Sequence, residues 1–315
     1  MKNILFIKPT IRDVGVKYLE KYFNCFYTVD SSETNLINIV NKKEIHAIIT
    51  RNEKITEKII ESSPTLEVIG QHGIGVNNIN VNAATSNEVS VINVPNATVN
   101  SVAEHTLMSI LALSRNLVNN HKSVITGDWN VRERELPSEI NNKNLFIIGY
   151  GAIGKKVSEY AKIFGMNILV YDPFIKDTNK EVIFVNNLKE GLTKADYTSI
   201  HVPLTKGTKK LISEKELNYM RTDSYLINVS RGGVVDQDAL INHITNNKIA
   251  GAQLDVLENE PPLSNDPIFE VNNVIFTSHI AGDTKEAKDR CSEILSKEVY
   301  AVLNGELSTN IVNKK

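Results

Sequence analysis

The segment Leu145-Phe146-Ile147-Ile148-Gly149-Tyr150-Gly151-Ala152-Ile153-Gly154 decides the fold of this sequence. Its first four residues form a short apolar run typical of a buried strand, and the glycines that follow have the spacing Gly-x-Gly-x-x-Gly. Gly149 permits a tight turn, Gly151 lets the backbone approach a pyrophosphate, and Gly154 lets a helix pack closely on the sheet. Free amide groups at the start of that helix can bind an anion. The segment therefore predicts a strand–turn–helix unit that binds a dinucleotide.

An acidic residue ends the next apolar run. Asn167-Ile168-Leu169-Val170-Tyr171 leads into Asp172, which follows Gly154 by about the 20 residues expected for a ribose-binding carboxylate. A carboxylate at this position accepts hydrogen bonds from the 2′-hydroxyl of the ribose and repels a 2′-phosphate. We therefore expect NAD, rather than NADP, as the cofactor.

Short apolar runs alternate with amphipathic segments along the whole chain, a pattern typical of α/β proteins. In the N-terminal part this pattern predicts strands over 3–7, 46–50, 66–70 and 89–94 and helices over 11–22 and 55–62. A long apolar helix over 102–117 follows. The second part predicts strands over 145–148, 168–171, 197–202, 225–229, 251–255 and 274–276, with helices over 153–164, 214–220 and 238–246. A last helix over 284–303 has no strand after it and is expected to return to the N-terminal unit.

Composition limits the class of protein. With 315 residues, 41% of them hydrophobic and 23% charged, the chain is expected to form two globular domains. Lys and Arg number 35 against 37 Asp and Glu, so no basic surface for nucleic acid or anionic membrane is expected. The two cysteines, Cys25 and Cys291, are too few for a disulfide framework and fit a reducing compartment. No apolar run has signal-peptide or membrane-spanning length, so we expect a cytoplasmic protein.

Three residues carry the predicted chemistry: Arg231 in INVSRGG (227–233), Glu260 in ENEPP (258–262) and His279 in TSHIAG (277–282). Arg231 and His279 directly follow predicted strands, and ligands bind at the carboxyl ends of strands in open α/β sheets. An arginine grips a carboxylate through two parallel hydrogen bonds, and a histidine gives or takes a proton near neutral pH. A carboxylate bonded to His279 would favour the charged imidazole, with Glu258 as an alternative to Glu260.

From the residues alone, we interpret the other six histidines as structural, because a single histidine at a strand end usually has a structural role. They are His46, His72, His105, His121, His201 and His243.

Taken in order, the motifs resemble those of the D-isomer-specific 2-hydroxyacid dehydrogenase family along nearly the whole chain. The resemblance rests on the glycine segment, the Arg231 and His279 motifs, and further segments: GIGVNNI (73–79), NVPN (93–96), SVAE (101–104), HVPLT (201–205) and GAQLDV (251–256). Ser278 and Ala281 depart from the proline and glycine that family members often carry there. Neither departure removes a catalytic atom.

The resemblance implies a role for each matched residue. Arg231 would hold the substrate carboxylate and carbonyl oxygen, His279 would be the general acid/base, and Glu260, not Glu258, would be its carboxylate partner. Asp255 would lie near the nicotinamide carboxamide. The expected cofactor contacts are Val102, Gly149, Gly151, Ala152, Ile153, Gly154, Asp172, His201, Pro203, Thr208, Val229, Ser230, Arg231, Asp255, His279 and Gly282. The expected substrate contacts are Arg51, Ile74, Gly75, Val76, Arg231 and His279, and no metal is expected.

The resemblance also implies two Rossmann-like, doubly wound parallel-sheet domains. Residues 1–96 and 285–315 would form a discontinuous substrate-binding domain, and residues 97–284 the NAD-binding domain. The long helix over 102–117 is more apolar than one domain face requires, and in this family that region forms a two-fold dimer. A homodimer is therefore expected.

The predicted activity is hydride transfer between NAD(H) and a small 2-hydroxy or 2-keto acid. Arg51 stands where phosphoglycerate dehydrogenases place a phosphate-binding arginine, which favours a 3-phosphoglycerate dehydrogenase-like enzyme, although Asn52 and Glu53 make the pocket less basic. A glyoxylate/hydroxypyruvate reductase is the alternative among enzymes, and an NADH-sensing, corepressor-like binding protein is the alternative from another class. A formate dehydrogenase is disfavoured, because that branch lacks the Glu260 equivalent. At this length the chain is also expected to lack the C-terminal regulatory domain of longer phosphoglycerate dehydrogenases.

Overall fold

The computed structural model describes residues 1–7, 11–175 and 181–313. The chain forms two compact units: unit 1 comprises Met1–Thr98 and Asp283–Lys315, and unit 2 comprises Val99–Gly282. The domain boundaries expected from the sequence, after residues 96 and 284, stay a prediction. The function of each unit remains a prediction.

Unit 1 contains a five-stranded parallel sheet with the order β2-β1-β3-β4-β5. Its strands are β1 (Asn3–Ile7), β2 (Asn24–Thr28), β3 (Ile45–Thr50), β4 (Val68–Gln71) and β5 (Ser90–Ile92). Its first helices are α1 (Asp13–Leu19), α2 (Glu33–Lys43), α3 (Glu57–Glu61) and α4 (Val81–Ser86). Ile4, Leu5, Ile48 and Ile49 are fully buried. Such continuous apolar strands are expected where helices cover both faces of a parallel sheet.

Three elements of unit 1, β2, α2 and α4, are absent from the sequence-based prediction, and α4 buries only Ala83 and Ala84. The strand β2 lies at the edge of the sheet and none of its residues is buried, so its apolar signal is weak. The helix α2 buries only Leu36 and Val40. Elements with so little buried surface are not marked by a strong hydrophobic period.

Unit 2 begins with helices α5 (Val99–Ser114), α6 (Leu117–Ile125) and α7 (Val131–Arg134). A seven-stranded parallel sheet follows, with the order β12-β11-β10-β9-β6-β7-β8. Its strands are β6 (Asn144–Ile148), β7 (Asn167–Tyr171), β8 (Ile183–Phe184), β9 (Tyr197–Ile200), β10 (Tyr225–Asn228), β11 (Gly251–Leu254) and β12 (Val274–Phe276). The helices between them are α8 (Ala152–Ile163), α9 (Leu188–Lys194), α10 (Glu214–Leu217) and α11 (Gln237–Thr245). The two-residue strand β8 was too short to be predicted.

The last helix, α12 (Lys285–Leu303), belongs to unit 1. The Thr284 side chain caps it by accepting a hydrogen bond from the Ala287 amide at 3.1 Å. Its buried face, including Leu295 and Val299, packs in the same core as Ile4 and Phe6 of the first strand. The N- and C-terminal parts of the chain therefore share one core.

The structure confirms the predicted fold class, two parallel-sheet α/β domains of Rossmann type. Among the described residues, no helix combines the length and the apolar character needed to cross a membrane.

Candidate active site

The glycine turn of unit 2 has the geometry required for a dinucleotide. Gly149 has a φ of +93°, and a Cβ there would lie 2.9 Å from the backbone carbonyl of His201. A Cβ on Gly154 would lie 2.2 Å from the Gly149 carbonyl oxygen, so α8 packs against the turn only because this residue is glycine. A Cβ on Gly151 would meet no atom within 4 Å. The first and third glycines thus serve packing, and the second leaves open space at the start of α8, where a pyrophosphate can bind.

Asp172 joins the end of β7 to the glycine turn. Its Oδ2 accepts a hydrogen bond from the Tyr150 amide and its Oδ1 accepts one from the Phe174 amide, both at 2.9 Å. A carboxylate oxygen has a second lone pair, so each oxygen can still accept a hydroxyl of a ribose. The side chain is therefore fixed in place and keeps the acceptor capacity that the prediction requires.

Other predicted cofactor residues follow the central strands of the same sheet. His201 comes after β9, and its Nε2 lies 2.8 Å from the Ser199 hydroxyl. Burial lowers the pKa of His201 to about 3, so the ring is neutral at neutral pH. Within the described part of the chain its buried Nδ1 has no hydrogen-bond partner. An unsatisfied buried atom beside the glycine turn fits a site that a ligand completes.

Further predicted cofactor residues lie in the loop after β9, in the core, at the start of α8 (Ala152 and Ile153) and at the end of unit 2 (Gly282). The Thr208 hydroxyl donates to the Pro203 carbonyl at 2.5 Å and accepts from the Thr205 amide at 2.8 Å, which closes that loop. Val102 and Val229 are buried in one apolar cluster of unit 2.

The three predicted catalytic side chains come from the segments after three adjacent strands, β10, β11 and β12. His279 Nδ1 lies 2.7 Å from Glu260 Oε2, and Glu260 Oε1 accepts a hydrogen bond from the Leu257 amide at 3.0 Å. Burial raises the pKa of Glu260, but the hydrogen bonds from His279 and Leu257 outweigh burial, so the pKa is lowered. Because the carboxylate is ionised, Nδ1 of His279 carries the proton between them. Nε2 remains for the substrate.

Gly232 brings the Arg231 turn against the loop that carries Glu260. A Cβ on Gly232 would lie 1.9 Å from the Leu257 carbonyl oxygen and 2.5 Å from the Glu258 nitrogen. Only glycine therefore permits this contact between the two loops. The sequence carries no signal for the loop that this glycine approaches.

Arg231 is held by its own turn. Its Nη1 donates to the Ser230 carbonyl at 2.7 Å, and the Asn228 side chain donates to the Arg231 carbonyl at 3.1 Å. Asn228 also accepts hydrogen bonds from the Ser230 amide and hydroxyl. Burial lowers the pKa of Arg231, and the opposing effect of the Glu260 charge is smaller. The guanidinium is thus a partly desolvated cation beside the Glu260–His279 pair, which strengthens its attraction for an anion.

His279 has a φ of +56°, in the left-handed region that non-glycine residues rarely adopt. Asp255 fixes the loop on both sides of it. The Asp255 carboxylate accepts hydrogen bonds from the Thr277 hydroxyl at 2.6 Å and from the amides of Ile280 and Ala281 at 2.9 Å each. Its backbone carbonyl accepts from the His279 amide at 2.8 Å. The geometry makes Asp255 the residue that positions His279, and its predicted contact with the nicotinamide carboxamide remains a prediction.

Residues outside the predicted site complete this network. The Gln253 side chain donates to the Thr277 hydroxyl at 3.0 Å, and His105 Nε2 lies 3.2 Å from the same hydroxyl. Burial lowers the pKa of His105, against the opposing effect of Asp255. His105 therefore supports the His279 loop from α5, in keeping with the structural interpretation made from the sequence. Its pairing with this loop had no sequence signal.

The predicted substrate residues Arg51, Ile74, Gly75 and Val76 all lie in unit 1. Arg51 follows β3, and the segment with Ile74 follows the neighbouring strand β4. The Gln71 side chain donates to the Arg51 carbonyl at 2.6 Å, and Asn93 donates to the Ile74 carbonyl at 2.7 Å. Arg51 also forms an ion pair with Asp283. Among the described residues, no group of three or more His, Cys, Asp or Glu is placed to hold a metal.

Comparison with known proteins agrees with this geometry. Residues 107–281 match the family model described as D-isomer specific 2-hydroxyacid dehydrogenase, NAD binding domain. A D-3-phosphoglycerate dehydrogenase of Methanocaldococcus jannaschii is 36% identical over 99% of this chain, which spans 60% of that relative's length. A glyoxylate reductase of Thermococcus litoralis is 34% identical, and the alignment covers 100% of this chain and 98% of the relative.

The fold is also similar to that of solved structures. An NAD-dependent formate dehydrogenase from Staphylococcus aureus, in complex with NAD, superimposes with a TM-score of 0.89 at 26% identity and full coverage of both chains. The glycine turn, the Arg231–Glu260–His279 arrangement and the match of more than half of the chain lead to one conclusion. The chain belongs to the D-isomer specific 2-hydroxyacid dehydrogenase family.

Proposed function

We propose that this protein is an NAD-dependent dehydrogenase that interconverts a small 2-hydroxy acid and its 2-keto acid. The observation that carries the proposal is the His279–Glu260 hydrogen bond of 2.7 Å beside the Arg231 guanidinium. A histidine that is hydrogen-bonded to a carboxylate can transfer the hydroxyl proton of a substrate, and a neighbouring arginine can bind the carboxylate of that substrate. The open space at Gly151 in the same unit fits the cofactor.

Each predicted catalytic side chain then has one task in the proposed reaction. Arg231 binds the substrate carboxylate and orients the carbonyl. His279, charged and held through Nδ1 by Glu260, donates its Nε2 proton to the carbonyl oxygen during reduction. In the oxidative direction the neutral Nε2 accepts the hydroxyl proton. When bound, the nicotinamide supplies or accepts the hydride.

Unit 1 supplies substrate recognition in this proposal, through Arg51 and the backbone of Ile74, Gly75 and Val76. The names of the relatives support two of the substrates considered from the sequence, 3-phosphoglycerate and glyoxylate. The NADH-sensing binding protein remains the alternative from another class. It predicts tight NADH binding without turnover of any keto acid.

We also propose that the chain forms a homodimer through the region of α5 to α7. Large apolar side chains are exposed there: Met108 on α5, Leu117, Val124 and Ile125 on α6, and Trp129 and Leu136 beyond it. A cluster of exposed apolar side chains marks an interaction surface more often than a solvent-facing one.

A cytoplasmic location belongs to the same proposal. It is supported by the two free cysteines. Fractionation of the native cell would check it, and recovery of the protein outside the cytoplasm would contradict it.

Replacement of His279 by alanine should lower kcat for keto-acid reduction by at least about 10²-fold, the usual contribution of general acid–base catalysis. The dissociation constant for NADH should stay near the wild-type value, because the glycine turn is untouched. Glu260→Gln should lower kcat, because a neutral amide holds the imidazole through a weaker hydrogen bond than a carboxylate does. Glu258→Gln is the matched control and should behave as wild type. Unchanged turnover in His279→Ala would contradict the proposal.

Replacement of Asp172 by alanine should raise the ratio of kcat/KM with NADPH to that with NADH by at least about ten-fold, because it removes like-charge repulsion of the 2′-phosphate. Steady-state kinetics with both cofactors measure this ratio. A wild-type enzyme that already prefers NADPH, or an unchanged ratio in the variant, would refute the assignment of Asp172.

The wild-type protein should elute with twice the monomer mass in size-exclusion chromatography with light scattering. Ile125→Glu places a charge on the exposed face of α6 and should shift the species toward monomer. Ile163→Glu, at an equally apolar and exposed position on α8, is the control and should leave the mass unchanged. A monomeric wild type would rule out the dimer.

A further inference from the structure

Arg51 shares an acidic partner with a second cation. Its guanidinium forms an ion pair with Oδ1 of Asp283, and Oδ2 of the same carboxylate lies 3.1 Å from the Lys288 ammonium. The side chains of Arg51 and Asp283 are only 26% and 21% exposed, so water screens this pair less than a surface pair. Asp283 also immediately precedes the Thr284 cap of α12, where a helix favours a negative charge.

A second carboxylate lies against the Arg51 backbone. Glu53 Oε2 accepts hydrogen bonds from the amides of Arg51 and Asn52 at 3.2 Å each and from the Thr50 hydroxyl at 3.1 Å. Burial raises the pKa of Glu53, but these hydrogen bonds outweigh it and the pKa is lowered. Glu53 is therefore ionised at neutral pH.

The neighbouring histidine adds no positive charge. His72 is buried, and its Nε2 lies 2.8 Å from the Ser292 hydroxyl. Burial, followed by the charge of Arg51, lowers the pKa of His72 to about 4. The cations Arg51 and Lys288 are thus balanced by the anions Asp283 and Glu53, and the group has no net charge.

We propose that Asp283 is a specificity residue that selects short, unphosphorylated 2-keto acids, such as hydroxypyruvate or glyoxylate, over phosphate monoesters. This inference rests on the proposed function, in which Arg51 of unit 1 takes part in substrate recognition. A phosphate dianion is bound by cations that are free to donate charge-assisted hydrogen bonds. Here Arg51 donates to Asp283, and an entering phosphate would have to displace that carboxylate and remain close to its negative charge. A substrate with a hydroxyl group or a hydrogen atom in place of the phosphate need not displace the Asp283 carboxylate and is not repelled by its charge.

The test compares kcat/KM for NADH-dependent reduction of hydroxypyruvate and of 3-phosphohydroxypyruvate. The wild-type enzyme should prefer hydroxypyruvate. Asp283→Asn keeps the shape of the side chain and removes its charge, so the ratio of phosphorylated to unphosphorylated substrate should rise by about ten-fold, as expected when a like charge at a binding site is removed. Asp289→Asn is the matched control, because Asp289 lies in α12, the helix that begins just after Asp283, and pairs with Arg12 at 3.0 Å; its ratio should equal that of the wild type.

The outcomes separate the two proposals. A wild-type preference for 3-phosphohydroxypyruvate, or an unchanged ratio in a folded Asp283→Asn variant, overturns the role of Asp283 and leaves the dehydrogenase activity standing. Absence of turnover with hydroxypyruvate, glyoxylate and 3-phosphohydroxypyruvate overturns both. The wild-type preference needs no variant, so it tests the inference even if Asp283→Asn does not fold.

Discussion

The hydrogen bonds of the Asp255 carboxylate hold the candidate active site in place. This side chain is only 2% exposed and accepts from the Thr277 hydroxyl and from the amides of Ile280 and Ala281. The left-handed backbone of the intervening His279 costs about 1–2 kcal/mol. A hydrogen bond to a charged group contributes about 1.5–3 kcal/mol, so three of them outweigh that cost. The unusual conformation of His279 is therefore the stable one, and it brings Nδ1 within 2.7 Å of Glu260.

The positions of residues that belong to a local sequence motif could be predicted from the sequence. The glycine turn, the acid at the end of β7 and the polar residues that follow β10 and β12 all occupy positions that a parallel sheet defines along the chain. Contacts between distant segments carried no such signal. The Arg51–Asp283 ion pair joins residues 232 positions apart, and the approach of Gly232 to Leu257 depends on two loops meeting in space. The elements that were missed, such as β2 and β8, are exposed or very short and leave little hydrophobic pattern.

In the proposed function, the two units contribute different residues to catalysis. Unit 2 contains the residues of the reaction itself, and these are organised by a buried carboxylate, a glycine contact and the ends of three adjacent strands. Unit 1 contains Arg51, whose positive charge is balanced by the nearby carboxylates of Asp283 and Glu53. An arginine at a matching sequence position therefore does not by itself specify a phosphorylated substrate, because its ion-pair partner decides whether it can bind one.

The Asp255→Asn variant shows whether Asp255 acts by positioning His279. Asparagine retains one oxygen, which can still accept from the Thr277 hydroxyl and the Ile280 amide, but it places a donor where the second oxygen accepts from the Ala281 amide. The His279 loop therefore loses part of its support. The measurement is kcat for hydroxypyruvate reduction together with the dissociation constant for NADH. We expect a loss of about 10²-fold in kcat, the effect of misplacing a catalytic group, with NADH binding little changed. A wild-type kcat, or a loss confined to NADH affinity, would contradict it.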